Sequence, residues 1–129
     1  MINLFIDERR ADDVTILDLK GRLRIGGNTV ALHKTIRCLV LEKKLLIILH
    51  LKGVMHVDSC GLGELVASQI SARNKGGEIK LLGLTETLHQ LLKVNGLLGV
   101  FPVYENEAEA VQSFADNRQN GLRIQRGIA

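Results

Sequence analysis

The chain is predicted to fold as a single α/β domain, with a mixed, mostly parallel sheet of four to five strands and about four helices packed on it. Two observations carry that prediction. Short runs rich in Leu, Ile and Val alternate along the sequence with stretches of helical apolar spacing, and this alternation favours a sheet built with crossover helices. The length of 129 residues fits one domain, without internal repeat, low-complexity segment or linker.

In chain order, Ile2 to Asp7 alternates weakly and reads as a strand. Val14 to Leu19 reads as a second, ended by Lys20-Gly21, with a hairpin across Arg9 to Asp13. Gly26-Gly27-Asn28 breaks the chain and offers Asn28 as an N-cap. From Thr29 to about Glu42, the positions Leu32, Ile36, Leu39 and Val40 mark a helix. Leu45 to Leu51 is continuously apolar, as a central strand covered on both faces would be. A helix follows to about Asn74, with Leu62, Leu65, Val66 and Ile70 on its inner face and Gly76-Gly77 as its stop. Glu78 to Leu82 is the next strand. Glu86 to Val94 is a helix with Leu88, Leu91 and Leu92 on one face and Asn95-Gly96 after it. Phe101 to Tyr104 reads as a short edge strand, where Pro102 is tolerated. Glu107 to Phe114 opens with acids, as a helix N-terminus prefers. The domain is assigned residues 1–116, and residues 117–129 read as a polar, arginine-containing, partly disordered tail.

Composition excludes several function classes. Apolar residues make up 46% but aromatics only 3%, which leaves few rings to stack on bases and argues against direct nucleic-acid binding. The net charge of +3 belongs to the tail: without Arg118, Arg123 and Arg126, basic and acidic residues balance at 14 each. Cys38 and Cys60 form no metal-binding pair, and the four histidines are scattered, so neither a metal nor any other cofactor is expected. No apolar run reaches the ~20 residues of a membrane span, and the protein is expected to be cytoplasmic, without membrane insertion. No nucleophile elbow, Ser/His/Asp order or carboxylate pair stands out, so it is not read as an enzyme.

The stretch Val54 to Gly63 (VMHVDSCGLG) is the most informative. Ser59 sits where a strand has ended and a helix begins. A serine there can cap the first free N–H groups, and those same groups with the helix dipole would also favour a phosphate. Around it lie Gly21-Arg22-Leu23 after the second strand, Lys75-Gly76-Gly77 before a strand, and Val94-Asn95-Gly96-Leu97 before Phe101. Together with the order of elements, these motifs resemble a STAS domain, nearest in pattern to the bacterial anti-sigma factor antagonists. The resemblance runs from about Asn3 to Phe114, and Asp-Ser-x-Gly-Leu-Gly is its most specific part.

The resemblance implies a function. In that family the serine at this position is phosphorylated by a kinase that is also the anti-sigma factor, and the unphosphorylated form binds that kinase and frees the sigma factor. Ser59 is then the phosphoacceptor and the partner a serine-kinase anti-sigma factor. Arg22, Arg24, Asp58, Gly61 and Leu62 are placed at the contact surface, with Leu62 facing either the core or the partner. The resemblance also leaves room for a STAS module that scaffolds a larger signalling or membrane-associated transport assembly without phosphorylation, and a homodimer stays open. Two positions depart from the family pattern. Arg24 stands where an acid is common, and Cys60 replaces a second hydroxyl. A phospho-accepting receiver domain is disfavoured, because the strand ends at Gly21-Arg22 and Gly83-Leu84 supply no acidic pair for Mg²⁺.

Overall fold

A computed structural model describes residues 4–24 and 27–115. The elements in chain order are β1 (Phe5–Ala11), β2 (Val14–Leu23), α1 (Gly27–Leu41), β3 (Leu46–Val57), α2 (Ser59–Asn74), β4 (Glu78–Leu82), α3 (Glu86–Val94) and β5 (Val103–Tyr104). A fourth helix, α4, occupies residues 107–115. The five strands lie side by side in sequence order. β1 is antiparallel to β2, and every later pair is parallel. This is the mixed, mostly parallel α/β sheet expected from the alternation of strands and helices.

With strands in sequential order, crossovers of one hand bring their helices to one side of the sheet. Leu32 and Ile36 of α1, Leu65 and Ala72 of α2, and Leu88 and Leu92 of α3 join Leu17, Leu19, Leu49, Leu51 and Leu81 in one core. α4 leaves the edge strand β5 and covers part of the opposite face, where Ala110 and Phe114 meet Val14, Ile16, Ile48 and Leu82. Removing a buried leucine such as Leu49 or Leu65 down to alanine costs about 2–5 kcal/mol in such a core. α4 covers only one end of its face; Lys20 and Lys52, further along β2 and β3, stay exposed.

Several elements differ from expectation, each for a physical reason. β1 runs on to Ala11, and the hairpin turn shrinks to Asp12-Asp13. Asp12 takes φ 56, a left-handed conformation that aspartate tolerates better than most residues. Arg9 and Arg10 stay in the ladder because an edge strand keeps one face wet. β2 continues through Gly21 to Leu23, because Gly21, at φ 113, absorbs an irregularity rather than ending the strand. β3 runs on to Val57, past the apolar run that ends at Leu51, so His56 is a strand residue opposite Arg22. Asn28 lies within α1 instead of capping it, and its side-chain amide donates to the Arg22 carbonyl at 2.7 Å. In α2, Ile70 is 54% exposed while Ser68 and Gln69 are buried. Gln69 faces inward because β5 pairs only with Leu81 and Leu82. Its amide donates to the Ile79 carbonyl and accepts from the Ile79 N–H, both at 2.8 Å, and so closes the bare edge of β4. The tail assigned to residues 117–129 lies outside the described residues.

Candidate functional site

β3 ends at Val57 and α2 begins at Ser59, leaving Asp58 as the single residue between them. Asp58 is the N-cap: its backbone is extended and its Oδ1 accepts from the Gly61 N–H at 2.8 Å. Its carbonyl accepts the first helical bond, from the Leu62 N–H at 2.9 Å. The capping role open to Ser59 therefore belongs to its neighbour. Ser59 is the first helical residue, it is exposed, and its Oγ has no side-chain hydrogen bond to any of the described residues. The hydroxyl stands over the positive end of a helix of 16 residues, where a negative group is favoured by about 0.3–1 kcal/mol.

The junction is held from below by β2. The Asp58 N–H donates to the Leu23 carbonyl at 3.2 Å. Gly61 sits directly on that carbonyl; a Cβ at this position would lie 2.2 Å from the Leu23 oxygen. Glycine is required here by the domain's own backbone. Gly63 is different, because a Cβ there meets nothing within 4 Å. The same end of β2 is tied to α1 by Asn28, whose amide bonds the Arg22 carbonyl. The end of β2 is thus a shelf against which both helix starts are set.

The expected site residues divide in two. Ser59, Asp58, Arg22 and Arg24 reach the surface at this end of the sheet: Ser59 and Arg24 are exposed, and Asp58 and Arg22 half-buried. Gly61 and Leu62 are buried, and Leu62, at 7% exposure, belongs to the main core. Leu62 therefore faces the core, and Gly61 lies against the backbone of β2. Arg22 lies opposite His56, with its Nε buried and without a hydrogen-bond partner. Cys60 is exposed beside Ser59 as a free thiol. The Leu23 carbonyl and Asn28 are the parts that reading the sequence missed. A backbone acceptor leaves no trace in residue identity, and an asparagine after two glycines signals a cap. The described residues hold no cluster of three or more potential metal ligands.

The STAS domain family model matches residues 6–110, a span that contains every element placing Ser59. The chain belongs to the STAS domain family. It is 28% identical over 110 residues to the anti-sigma F factor antagonist of Paenibacillus polymyxa, covering 85% of this chain and 94% of that protein. The crystal structure of an anti-sigma factor antagonist from Mycobacterium paratuberculosis superposes with a TM-score of 0.73 at 20% identity, covering 86% of this chain and 93% of that one. The Bacillus cell fate determinant SpoIIAA in its phosphorylated form gives a TM-score of 0.68 at 18% identity, over 85% of this chain and 99% of that one. At these identities the two structures establish the STAS fold alone. No helix among the described residues is long and apolar enough to cross a membrane.

Proposed function

We propose that this STAS domain is an anti-sigma factor antagonist: it binds a serine-kinase anti-sigma factor and releases it when Ser59 is phosphorylated, so regulating transcription. The observation that carries the reading is the division of labour at the start of α2. Asp58 caps the helix and leaves the Ser59 hydroxyl exposed, with no hydrogen bond to any of the described residues. The name of the Paenibacillus relative, an anti-sigma F factor antagonist, supports the same class of partner.

The phosphate acts at the partner surface. It adds about −1.5 to −2 charges at pH 7 at a helix N-terminus, where the dipole and free N–H groups accommodate it. The fold beneath, set by Leu23 and Gly61, need not move. The partner meets a charged and bulkier surface instead. Circular dichroism of the phosphorylated protein is therefore expected to match that of the unmodified protein; a large loss of helix would overturn this account.

The test is intact-mass spectrometry with fragment mapping on protein from its native host. A phosphate on Ser59 is expected. Its absence under several growth and stress conditions would replace the switch by a scaffolding role. With the kinase in hand, Ser59→Ala binds constitutively and Ser59→Asp binds more weakly; equal affinities would end the switch model.

A further inference from the structure

The charged side chains of this domain are unevenly paired. Ion pairs engage Arg9, Asp18, His33, Glu64, Lys44, Glu8, Arg73 and Glu78. None of Lys20, Arg22, Arg24 and Lys52 takes part in an ion pair with any of the described residues. These four cations share one end of the sheet. Residues paired across a ladder point to the same side. Leu19 and Leu23 enter the main core, so the alternating Lys20 and Arg22 face the opposite side, the one that α4 covers only at its other end. Lys52 follows His50 and Ile48 on that side of β3. Arg24 lies one residue beyond Leu23, whose carbonyl receives the Asp58 N–H. His56 stands opposite Arg22, so the basic surface runs up to the Ser59 end.

Two large apolar side chains break the surface of the same region. Phe5, opposite Lys20, is 62% exposed, and Met55, the extra residue of β3 where Gly21 and Arg22 face Val54 and His56, is 56% exposed. Asp7 lies opposite Asp18 on β1, and the Asp58 carboxylate is engaged with the Gly61 N–H. Leaving unneutralised cations together is unfavourable for the folded chain alone, and the buried, unbonded Nε of Arg22 adds an unmet hydrogen bond.

We infer that this open sheet face, made by Lys20, Arg22, Arg24 and Lys52 with Phe5 and Met55, docks an acidic segment of a protein partner that also brings an apolar side chain. Charge complementarity selects the acid and steers its approach. Phe5 and Met55 supply the apolar anchor that a purely electrostatic surface lacks, and methionine adapts to varied shapes. A nucleic acid is the poorer occupant, since one exposed ring offers little stacking. The chain's own residues 117–129 carry three arginines and no acid, so they do not complement the face.

The inference rests on the reading of the Ser59 end as the partner-facing end, and it gives that switch a mechanism. A phosphate beside a basic surface cancels part of its charge and repels an acid already docked there.

The test uses the full, unphosphorylated chain, so it is independent of whether Ser59 is modified. The probe is a short peptide of glutamate and leucine, with a counterpart in which glutamine replaces every glutamate. Amide chemical-shift mapping is expected to place the acidic peptide across β2 and β3 near Phe5, Lys20, Arg22, Lys52 and Met55. Its affinity should fall as salt rises, and the glutamine peptide should bind at least about tenfold more weakly. Lys20→Glu combined with Lys52→Glu, both exposed positions, should weaken binding by about tenfold or more, while Lys93→Glu on α3 leaves it unchanged. Equal binding of the two peptides would overturn the inference. So would shifts elsewhere on the domain, or tighter binding of a single-stranded RNA at the same salt. A missing phosphate on Ser59 would overturn the switch and leave this face standing.

Discussion

Two polar regions lie on the same face of the sheet and are built in opposite ways. Under α4, Arg9 of β1 donates to Asp18 of β2 at 2.6 Å and to Glu107 at 2.8 Å, and His50 Nδ1 sits 2.8 Å from the second Asp18 oxygen. Toward the ends of β2 and β3, the cations have no such partners, and the hydroxyl of Ser59 is unbonded among the described residues. The first region spends its charges within the chain and fastens α4 to β1 and β2. The second sets its backbone with the Asp58 and Asn28 side chains and leaves its cations and the Ser59 hydroxyl without partners among the described residues. A polar side chain that is already satisfied is part of the fold, and one that is not is a candidate for recognition.

If backbone position is what builds the Ser59 end, the sharpest way to break it is to disturb the shelf. Gly61→Ala puts a methyl 2.2 Å from the Leu23 carbonyl oxygen. The clash is with main chain, so relief requires α2 to move as a unit, and about 3 kcal/mol of stability is expected to be lost. Gly63→Ala, two residues on with open space around it, is expected to be neutral or stabilising by up to about 1 kcal/mol. Urea unfolding of both variants checks the pair. Similar midpoints would mean that Gly61 is not held against β2 as described.

A smaller change separates the cap from the charge. Asp58→Ala removes the acceptor for the Gly61 N–H and is expected to cost about 1 kcal/mol, read as a lower thermal midpoint. Asparagine caps about as well as aspartate, so Asp58→Asn should restore the midpoint. Were the two variants equally destabilised, the carboxylate charge rather than the hydrogen bond would be holding the helix start. With the kinase available, Asp58→Asn also asks whether the negative charge beside Ser59 contributes to phosphorylation, at constant fold.

The difference between the two regions also explains what could be read without coordinates. Strand and helix order, the position of Ser59 and the inner faces of α1 and α3 follow from apolar spacing, because burial dictates that spacing directly. The ends of β1, β2 and β3 do not, because those residues pair as strands while facing water and carry no apolar pattern. Gly21 looks like a stop and is a point of irregularity within a strand; only the partner strand distinguishes the two. At the site itself, Ser59 and Asp58 were legible as a pair, but not which one caps. The inward turn of Leu62 and the pressing of Gly61 on Leu23 depend on β2 coming up beneath α2, a contact between residues far apart in sequence. The basic face was invisible for the same reason. Lys20, Arg22, Arg24 and Lys52 lie in separate stretches of a chain that is neutral over residues 1–116, and the β2–β3 register gathers them.

The paired region gives the mildest test. The Arg9 guanidinium hydrogen-bonds Asp18 and Glu107 and holds both carboxyls below their ordinary range, while their bonds to it raise the pKa of Arg9. A carboxyl depressed in the folded state binds its proton more readily when unfolded. Its contribution to stability is therefore complete above the unfolded value, about pH 4, and is lost as pH falls through the lower folded value. Arg9 and Glu107 are each about two-fifths exposed, with side-chain values of 41% and 40%, so solvent screens the pair. Glu107→Gln is expected to cost about 0.5 kcal/mol at neutral pH. The deficit should shrink as the pH is lowered from about 7 into the acid range, as the wild-type Glu107 carboxylate takes up its proton. Thermal midpoints of the two proteins across that range provide the measurement. A deficit that stayed constant with pH would make the Arg9–Glu107 contact one of shape, and would remove the contrast between a region that uses its charges internally and one that does not.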